Sequence, residues 1–276
     1  MPGALLQPFP TLPGSQAQVW SYSPRYRRPR HFHTEPELNF VVHGSATFGV
    51  GERVEALRAG ELIAFAPGQD HELISSSPDL VLFAVGMSAA LAPDVLRAAG
   101  ERAMLPWRAR LSKGESRALA DRCTDATGRA GVDQAVSELW QAALWASKSS
   151  AAAEVTLPRP LTRRALTSLG LEPDLDRSAL ARAARACPSE LSRSVSRDLG
   201  VRLVEYRSRL RLLRFIEHVD AGASQTAAAL DAGFGSYSQC YRVFVATLAA
   251  TPRDFFHTDL RHQVADTFLP APAERC

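Results

Sequence analysis

The spacing of apolar residues changes along the chain and separates two kinds of structure. From residue 30 to about residue 86, apolar residues fall in short runs separated by glycine and proline. Evenly spaced short strands with such turns are typical of a β-sandwich or β-barrel. After about residue 92, apolar residues recur with the period of an α-helix. The six predicted strands are 38–42, 46–50, 54–57, 61–65, 71–75 and 79–85.

Two amphipathic helices, 113–128 and 132–146, are predicted after the strands, and we expect them to pack on the barrel. The next stretch is rich in small residues and proline, which is typical of a linker. We therefore predict an α+β chain of two domains. The predicted boundaries are 1–146 for the barrel with its helices, 147–160 for the linker, 161–258 for an all-α domain and 259–276 for a tail.

The segment from Ala227 to Phe244 predicts a helix, a tight turn and a second helix. Leu230 is the expected apolar anchor of the first helix, and Gly233 ends that helix because it adopts a positive φ easily. Ser236 is a good N-cap for the second helix. The exposed face of that helix then carries hydrogen-bonding side chains and an arginine, as a recognition helix in the major groove of DNA requires. These residues are Tyr237, Ser238, Gln239, Tyr241 and Arg242.

An upstream segment repeats this plan. A helix of small residues is predicted over 178–186, and Pro188 suits the first turn of the next helix. Its apolar stripe is Leu191, Val195 and Leu199, and Gly200 ends it. A longer amphipathic helix, 201–220, joins the two units. Its predicted inward residues are Val204, Leu210, Leu213 and Ile216.

Together the two units resemble the DNA-binding domain of AraC/XylS-type transcription regulators, over about residues 161–257. The resemblance implies seven helices, two helix-turn-helix units joined by one long helix, and sequence-specific binding at promoters. Cys187 stands where the family usually has a capping serine, and it is expected to cap poorly. Ala249 stands where the family usually has glycine. The residues that carry the resemblance are Leu180-Ala, Pro188-Ser-Glu-Leu-Ser-Arg193, Gly200, Glu205-Tyr206, Arg211-Leu212, Gly233-Phe-Gly-Ser-Tyr-Ser238, Tyr241-Arg242, Phe244 and Thr251-Pro-Arg253.

Four residues of metal-ligand type fall in the barrel region: His31, His33, Glu37 and His71. The spacing HxHx₃E, followed by Gly44, resembles the first motif of cupin barrels, and residues 60–71 resemble the second. Three imidazoles and one carboxylate can complete a metal site with open positions. In AraC-type sensory domains such residues often remain without a metal, so that resemblance implies a cupin-like domain that binds a small effector. We predict no cofactor, with a metal at these four residues as the alternative.

The resemblance also assigns candidate DNA contacts. Ser189, Ser192 and Arg193 in the first unit are predicted to read base edges, as are Tyr237, Ser238, Gln239 and Arg242 in the second. Arg197 and Arg253 are predicted to contact phosphates, which position a protein without specifying sequence. The expected partners are promoter DNA, a small-molecule effector, RNA polymerase and a second copy of the chain.

Composition narrows the choice of function. The 276 residues carry a net charge of only +3 and four cysteines without a CxxC motif, which argues against a disulfide framework or a zinc site. No signal peptide and no apolar run of membrane-spanning length is present, so we expect a cytoplasmic protein.

Two other functions remain in competition with a ligand-controlled, non-enzymatic regulator. A metal-dependent cupin enzyme with a helical appendage would use the four residues of the barrel. A regulator without any ligand would depend on its abundance or on a protein partner. The sequence shows neither a Ser or Cys nucleophile motif nor a Gly-rich phosphate loop.

Overall fold

The computed structural model describes residues 5–22, 29–98, 106–149 and 155–257. The tail predicted for 259–276 lies outside these ranges, and so does the middle of the linker predicted for 147–160. On either side of that gap, a helix continues to Ser149 and a two-residue strand begins at Val155.

Strands dominate the first part of the chain and helices the second. The strands are β1 (Leu5–Leu6), β2 (Ala17–Ser21), β3 (His31–Phe32), β4 (Glu37–His43), β5 (Ser45–Val50), β6 (Arg53–Arg58), β7 (Glu61–Phe65), β8 (His71–Ser76), β9 (Val81–Met87), β10 (Trp107–Arg110) and β11 (Val155–Thr156). The helices are α1 (Ala92–Ala98), α2 (Lys113–Ala126), α3 (Asp133–Ser149), α4 (Pro160–Leu171), α5 (Arg177–Ala183), α6 (Pro188–Leu199), α7 (Leu203–Asp220), α8 (Gln225–Asp231), α9 (Tyr237–Leu248) and α10 (Pro252–His257). In the described ranges, no helix is long and apolar enough to cross a bilayer.

The strands form two sheets that together make the cupin-like barrel. One sheet has the order β1-β3-β8-β5-β6, and the other has the order β11-β10-β7-β4-β9-β2. All six predicted strands are confirmed as β4 to β9. The sequence did not indicate β1, β3 or β11, because two residues are too few to show an alternation. The pairing of β3 with β8 places His31 opposite His71.

Side chains alternate between the two sides of each sheet. Along β4, Leu38 and Phe40 point to a core shared with α1, α2 and α3, where Trp140 is fully buried. Val41 points to the other side and packs in the core between the sheets. The helical pair α2–α3 therefore covers one sheet, as predicted, and the barrel interior is left to the residues that alternate with Leu38 and Phe40.

The C-terminal domain contains seven helices in the described ranges, as the resemblance implies. Helices α5–α6 and α8–α9 form the two predicted helix-turn-helix units, and α7 joins them. Gly200 and Gly233 adopt left-handed conformations with φ of 72° and 83°, which confirms both as helix terminators. The Ser236 hydroxyl accepts a hydrogen bond from the Gln239 amide at 3.2 Å, as expected of an N-cap. Cys187 makes no side-chain capping bond.

Two predicted core positions are wrong. Leu230 is 54% exposed, and Ala228 and Ala229 are the residues of α8 that are buried. Ala228 and Ala229 form the buried face of α8, and Leu230 lies outside that face. Val204 is 68% exposed, because α7 buries Leu203 and the residues that follow it at helical spacing. The helical period predicted for α7 is therefore correct, but its buried face begins one residue earlier than predicted.

The barrel contacts the helical domain directly. The Glu52 amide donates a hydrogen bond to the Gly200 carbonyl at 2.7 Å. Gly51 and Gly200 both have positive φ, and their backbones approach so closely that neither position has space for a Cβ atom. The barrel residue Phe32 is fully buried in the core of the second helix-turn-helix unit, among residues of α7, α8 and α9.

Candidate nucleic-acid interface and barrel site

The outer face of α6 displays cations. Arg193 and Arg197 are exposed one helical turn apart, and Ser189 is exposed near the start of the helix. Within the ranges that the structure describes, neither arginine forms a hydrogen bond or ion pair. Ser192 is half-buried, and its hydroxyl donates to the Pro188 carbonyl at 2.9 Å. The face therefore offers two uncommitted guanidinium groups and a hydroxyl to an anionic or polar partner.

The outer face of α9 has a similar character. Ser238, Gln239 and Arg242 are exposed, and Arg242 has no intramolecular polar partner among the described residues. Tyr237 is half-buried, and its hydroxyl donates to Gln225 Oε1 at 2.5 Å. Gln239 Oε1 accepts from the Gly235 amide at 2.9 Å. The oxygen of Gln239 therefore holds the turn, and its Nε2 group is what remains for a base.

Not every arginine of the helical domain is available to a partner. Arg159 pairs with Asp198 at 2.5 Å, and Arg214 pairs with Asp174 at 2.6 Å. Arg253, the other predicted phosphate contact, is exposed in the first turn of α10. Since all arginines look alike in the sequence, the structure is needed to separate those that hold the domain together from those that face outward.

The barrel brings together the four residues that were predicted from their spacing. His31, His33, Glu37 and His71 are all buried, and each offers one ligand atom within 4.8 Å of the others. Glu37 Oε2 lies 3.1 Å from His33 Nε2 and 3.5 Å from His71 Nε2. We call these four residues the histidine cluster.

The hydrogen bonds of the three imidazoles place a proton on each Nδ1. Each Nδ1 lies at hydrogen-bond distance from a backbone carbonyl, which can only accept. The three pairs are His31 with Pro29 at 2.8 Å, His33 with Glu35 at 2.7 Å and His71 with Gln69 at 3.1 Å. The Nε2 atoms of His33 and His71 face the Glu37 carboxylate, and that of His33 is hydrogen-bonded to it.

Burial and the neighbouring charged groups act in opposite directions on the pKa values of the histidine cluster. Burial tends to raise the pKa of the Glu37 carboxyl, but His71 and His33 hold that pKa well below its usual range. Burial lowers the pKa of His71, against the effect of the Glu37 carboxylate. A buried carboxylate among imidazole nitrogens is stabilised by hydrogen-bond donors or by a bound cation. The arrangement is therefore suited to bind either.

A cavity of about 100 Å³ opens beside the histidine cluster. The segment around Phe9 and Pro10 covers it, and the Trp20 indole donates to the Pro10 carbonyl at 2.7 Å. The Tyr22 hydroxyl is buried on its wall and has no hydrogen-bond partner among the described residues. Asn39 Nδ2 donates to Glu37 Oε1 at 2.7 Å. Apolar walls with a few convergent polar groups are typical of a small-molecule site.

The sequence did not indicate Tyr22, Trp20 or Asn39 as part of this site. Asn39 was accessible to reasoning, because it lies two residues after Glu37 on the same strand and therefore points to the same side. Trp20 belongs to β2, and Tyr22 follows the end of that strand. Since the sequence pattern did not predict β2, no sequence signal placed these two residues beside the cluster.

Comparison with known families agrees with the two halves of the structure. Residues 16–157, more than half of the chain, match the family model of the AraC-like ligand binding domain, and residues 180–258 match a helix-turn-helix domain. A search of curated proteins returned no match.

Solved structures with detectable similarity include ToxT from Vibrio cholerae O395. It is 15% identical, with a TM-score of 0.44 over 87% of this chain and 96% of its own. The C-terminal domain of AraT, a response regulator from Geobacillus stearothermophilus, is 17% identical, with a TM-score of 0.33 over 44% of this chain and 95% of its own. A cupin 2 conserved barrel domain protein from Salinispora arenicola CNS-205 is 23% identical, with a TM-score of 0.25 over 30% of this chain and 71% of its own.

The family matches carry the assignment, because they cover both domains in the order that the structure shows. The chain therefore belongs to the AraC family of transcription regulators, in which a ligand-binding domain precedes a DNA-binding helix-turn-helix domain.

Proposed function

We propose that this regulator reads promoter DNA with α6 and α9, placed in successive major grooves on one side of the duplex. The observation that carries the proposal is that Arg193 and Arg242 are exposed, one on each helix, without an intramolecular partner among the described residues. Guanidinium groups make bidentate contacts with guanine or with phosphate. Two such helices fit grooves about 34 Å apart, which is one turn of B-DNA.

The other predicted contact residues differ in the groups that they present to DNA. Ser189, Ser238 and the Nε2 group of Gln239 are proposed to bond base edges, and Arg197 and Arg253 to hold phosphates. Ser192 and Tyr237 have their hydroxyls engaged inside the protein, so we assign them to shaping the two faces.

The effector is proposed to bind in the barrel cavity, between the histidine cluster and Tyr22. The cavity provides apolar walls, a buried hydroxyl and a buried carboxylate, which together select a small molecule with hydrogen-bond donors. In this role the barrel is a sensor and not an enzyme. We also propose that the protein acts in the cytoplasm as a homodimer and contacts RNA polymerase. The α2–α3 face is proposed as the dimer contact, supported by Trp145, which is 68% exposed on α3.

A second candidate for the barrel ligand is a divalent metal ion held by the histidine cluster. The donor set fits, because three imidazole groups and one carboxylate match the ligands of first-row transition metals. The backbone carbonyls that accept from each Nδ1 are partners of the kind that orient metal-binding histidines. Such an ion would supply a Lewis-acid centre to which the effector could bind.

If a metal binds at the cluster, Glu37→Gln is expected to weaken that binding by at least about tenfold, since even partners outside the ligand set change affinity by 10–100-fold. Elemental analysis of the purified protein and calorimetric titration with Mn²⁺ or Zn²⁺ measure the effect. Glu72→Gln is the matched control, because Glu72 follows His71 on the same strand but pairs with Arg30 at 2.9 Å. Equal metal content in both variants would contradict the metal site, whereas stoichiometric iron or manganese would favour an enzyme.

The proposed DNA-binding function is tested by footprinting the purified protein on the DNA upstream of its own gene and neighbouring genes. We expect a discrete protected site whose affinity falls steeply with salt, because each phosphate contact releases counterions. For about six contacts, affinity should fall roughly 10³-fold between 50 and 200 mM salt. Diffuse binding without a preferred site, with and without candidate ligands, would contradict the proposal.

A further inference from the structure

Residues at β3 and at the start of β8 face the histidine cluster on one side and the helical domain on the other. His31 on β3 lies opposite His71 on β8 in the register of the sheet. Because side chains alternate along a strand, the neighbours of these two histidines point away from the cluster. Those neighbours are Phe32 and Asp70, and both contact the helical domain.

One residue of the helical domain receives both contacts. Arg209, in the middle of α7, is only 7% exposed. Its guanidinium pairs with Asp70 across the domain boundary and with Glu205 on its own helix at 2.6 Å. Its Cζ lies 5.4 Å from the centre of the Phe32 ring. A buried guanidinium cannot lose its partner cheaply, so Arg209 is expected to follow any displacement of Asp70.

The segment from Pro67 to His71 strengthens this connection. The Tyr206 hydroxyl, also on α7, donates to the Pro67 carbonyl at 3.1 Å. Gln69 bonds in both directions: its side-chain Nε2 donates to the Leu199 carbonyl at 3.3 Å, and its backbone carbonyl accepts from His71 Nδ1 at 3.1 Å. A hydrogen-bonded path thus runs from a cluster imidazole through Gln69 to the end of recognition helix α6.

We propose that Phe32 and Asp70, through Arg209, couple the occupancy of the histidine cluster to the position of α7 and hence to DNA binding. The inference rests on the proposed function and adds the route by which the barrel regulates it. Since α7 joins the two helix-turn-helix units, a change in its position alters how well both recognition helices meet successive grooves. Arg209 is a positioning residue and does not itself contact DNA.

The coupling is measurable as a thermodynamic cycle that needs no identified effector. One change alters the cluster (Glu37→Gln), and the other breaks the link (Asp70→Asn). DNA affinity of the wild type, the two single variants and the double variant is measured by fluorescence anisotropy, on the DNA site found by footprinting. With Asp70 present, Glu37→Gln is expected to shift the DNA Kd by about fivefold or more, the lower limit of typical allosteric coupling. With Asp70→Asn, the same change is expected to shift Kd by less than about twofold.

Glu205→Gln is the matched control. It removes the other ion pair of Arg209 but leaves the contact across the boundary, so the response to Glu37→Gln should persist. A merely structural role of Asp70 would lower DNA affinity without changing the response to Glu37→Gln. If Asp70→Asn does not fold, as judged by circular dichroism, Phe32→Leu replaces it in the cycle.

Two results would overturn the coupling: an equal response to Glu37→Gln in both backgrounds, or no response in either. These differ from a failure of the proposed function, in which the wild type itself finds no discrete DNA site. In that event, hydrogen exchange of the α7 amides tests the link without DNA. Glu37→Gln should raise exchange in residues 203–220 of the wild type and cause no further increase in the Asp70→Asn protein. The cycle is repeated with Mn²⁺ as the only added ligand, so that occupancy of the cluster takes the place of the Glu37→Gln change.

Discussion

Replacing Arg193 and Arg242 together by alanine is expected to abolish the discrete DNA footprint. Each arginine should contribute about 1–3 kcal/mol if it reads a base. The two residues lie on different helices and share no partner, so their effects should add, giving a loss of about 2–6 kcal/mol. This corresponds to a Kd increase of roughly 30-fold to more than 10⁴-fold, measured by fluorescence anisotropy at fixed salt.

The control for this double variant removes two exposed arginines that belong to the barrel domain and not to the recognition helices. Arg58 is on β6 and Arg97 is on α1, so Arg58→Ala with Arg97→Ala changes the net charge equally. DNA affinity of that protein should stay within about twofold of the wild type, since neither residue is a proposed DNA contact and salt screens exposed charges. Equal losses in the two double variants would mean that general charge, and not the two helix faces, binds the DNA.

Base readout and phosphate contact also differ in their dependence on sequence. Arg193→Ala or Arg242→Ala alone should weaken the specific site more than unrelated DNA, and should relax the preference at one base pair. Arg197→Ala should weaken binding to every sequence similarly and reduce the salt slope by about one. The single variants therefore assign a role to each residue, which the loss of the footprint alone does not.

The sequence predicted the architecture of this chain well because periodic features carry it. Short apolar runs bounded by glycine and proline predicted β4 to β9. The glycines at 200 and 233 marked the helix ends, because a left-handed backbone favours that residue. The errors at Leu230 and Val204 have a common cause. In α8 the small residues do not mark one face as more hydrophobic than the others. In α7 the adjacent residues Leu203 and Val204 are both apolar, so the sequence fits a buried face that begins at either one. Only packing against neighbouring elements decides between them.

The candidate sites were predictable to different degrees. The spacing of the cluster residues indicated that they meet, because it resembles the two motifs of cupin barrels. In the structure His31 and His71 lie on paired strands, and Glu37 lies on β4 of the other sheet. The link through Asp70 and Arg209 was not predictable, because those residues are 139 positions apart and neither belongs to a motif. Exposed and ion-paired arginines are likewise indistinguishable in a sequence. Local patterns therefore indicate a site, whereas the contacts that join it to the rest of the molecule come from tertiary packing.

The second helix-turn-helix unit is expected to depend on one aromatic residue. Phe244 on α9 is fully buried and lies against Phe215 of α7 and Phe255 of α10, with ring centroids 5.9 and 5.4 Å away. Phe244→Ala should lower the free energy of unfolding by about 3–5 kcal/mol, because it removes the ring and leaves a cavity. With a typical slope of about 1–3 kcal/mol per molar urea, the midpoint should fall by roughly 1–5 M.

The distribution of tryptophan allows this loss to be located. All four tryptophans lie in the first 145 residues, so their fluorescence reports on the barrel domain, whereas circular dichroism reports mainly on the helices. Arg242→Ala is the control, because Arg242 is exposed and lies two positions from Phe244. It should leave both urea transitions unchanged while it weakens DNA binding.

If Phe244→Ala shifts only the dichroism transition, the helical domain unfolds on its own. If it shifts both, the contacts of Phe32 and Arg209 make the two domains one cooperative unit, as their burial in the shared interface leads us to expect. An unshifted dichroism transition would contradict the placement of Phe244 in the core.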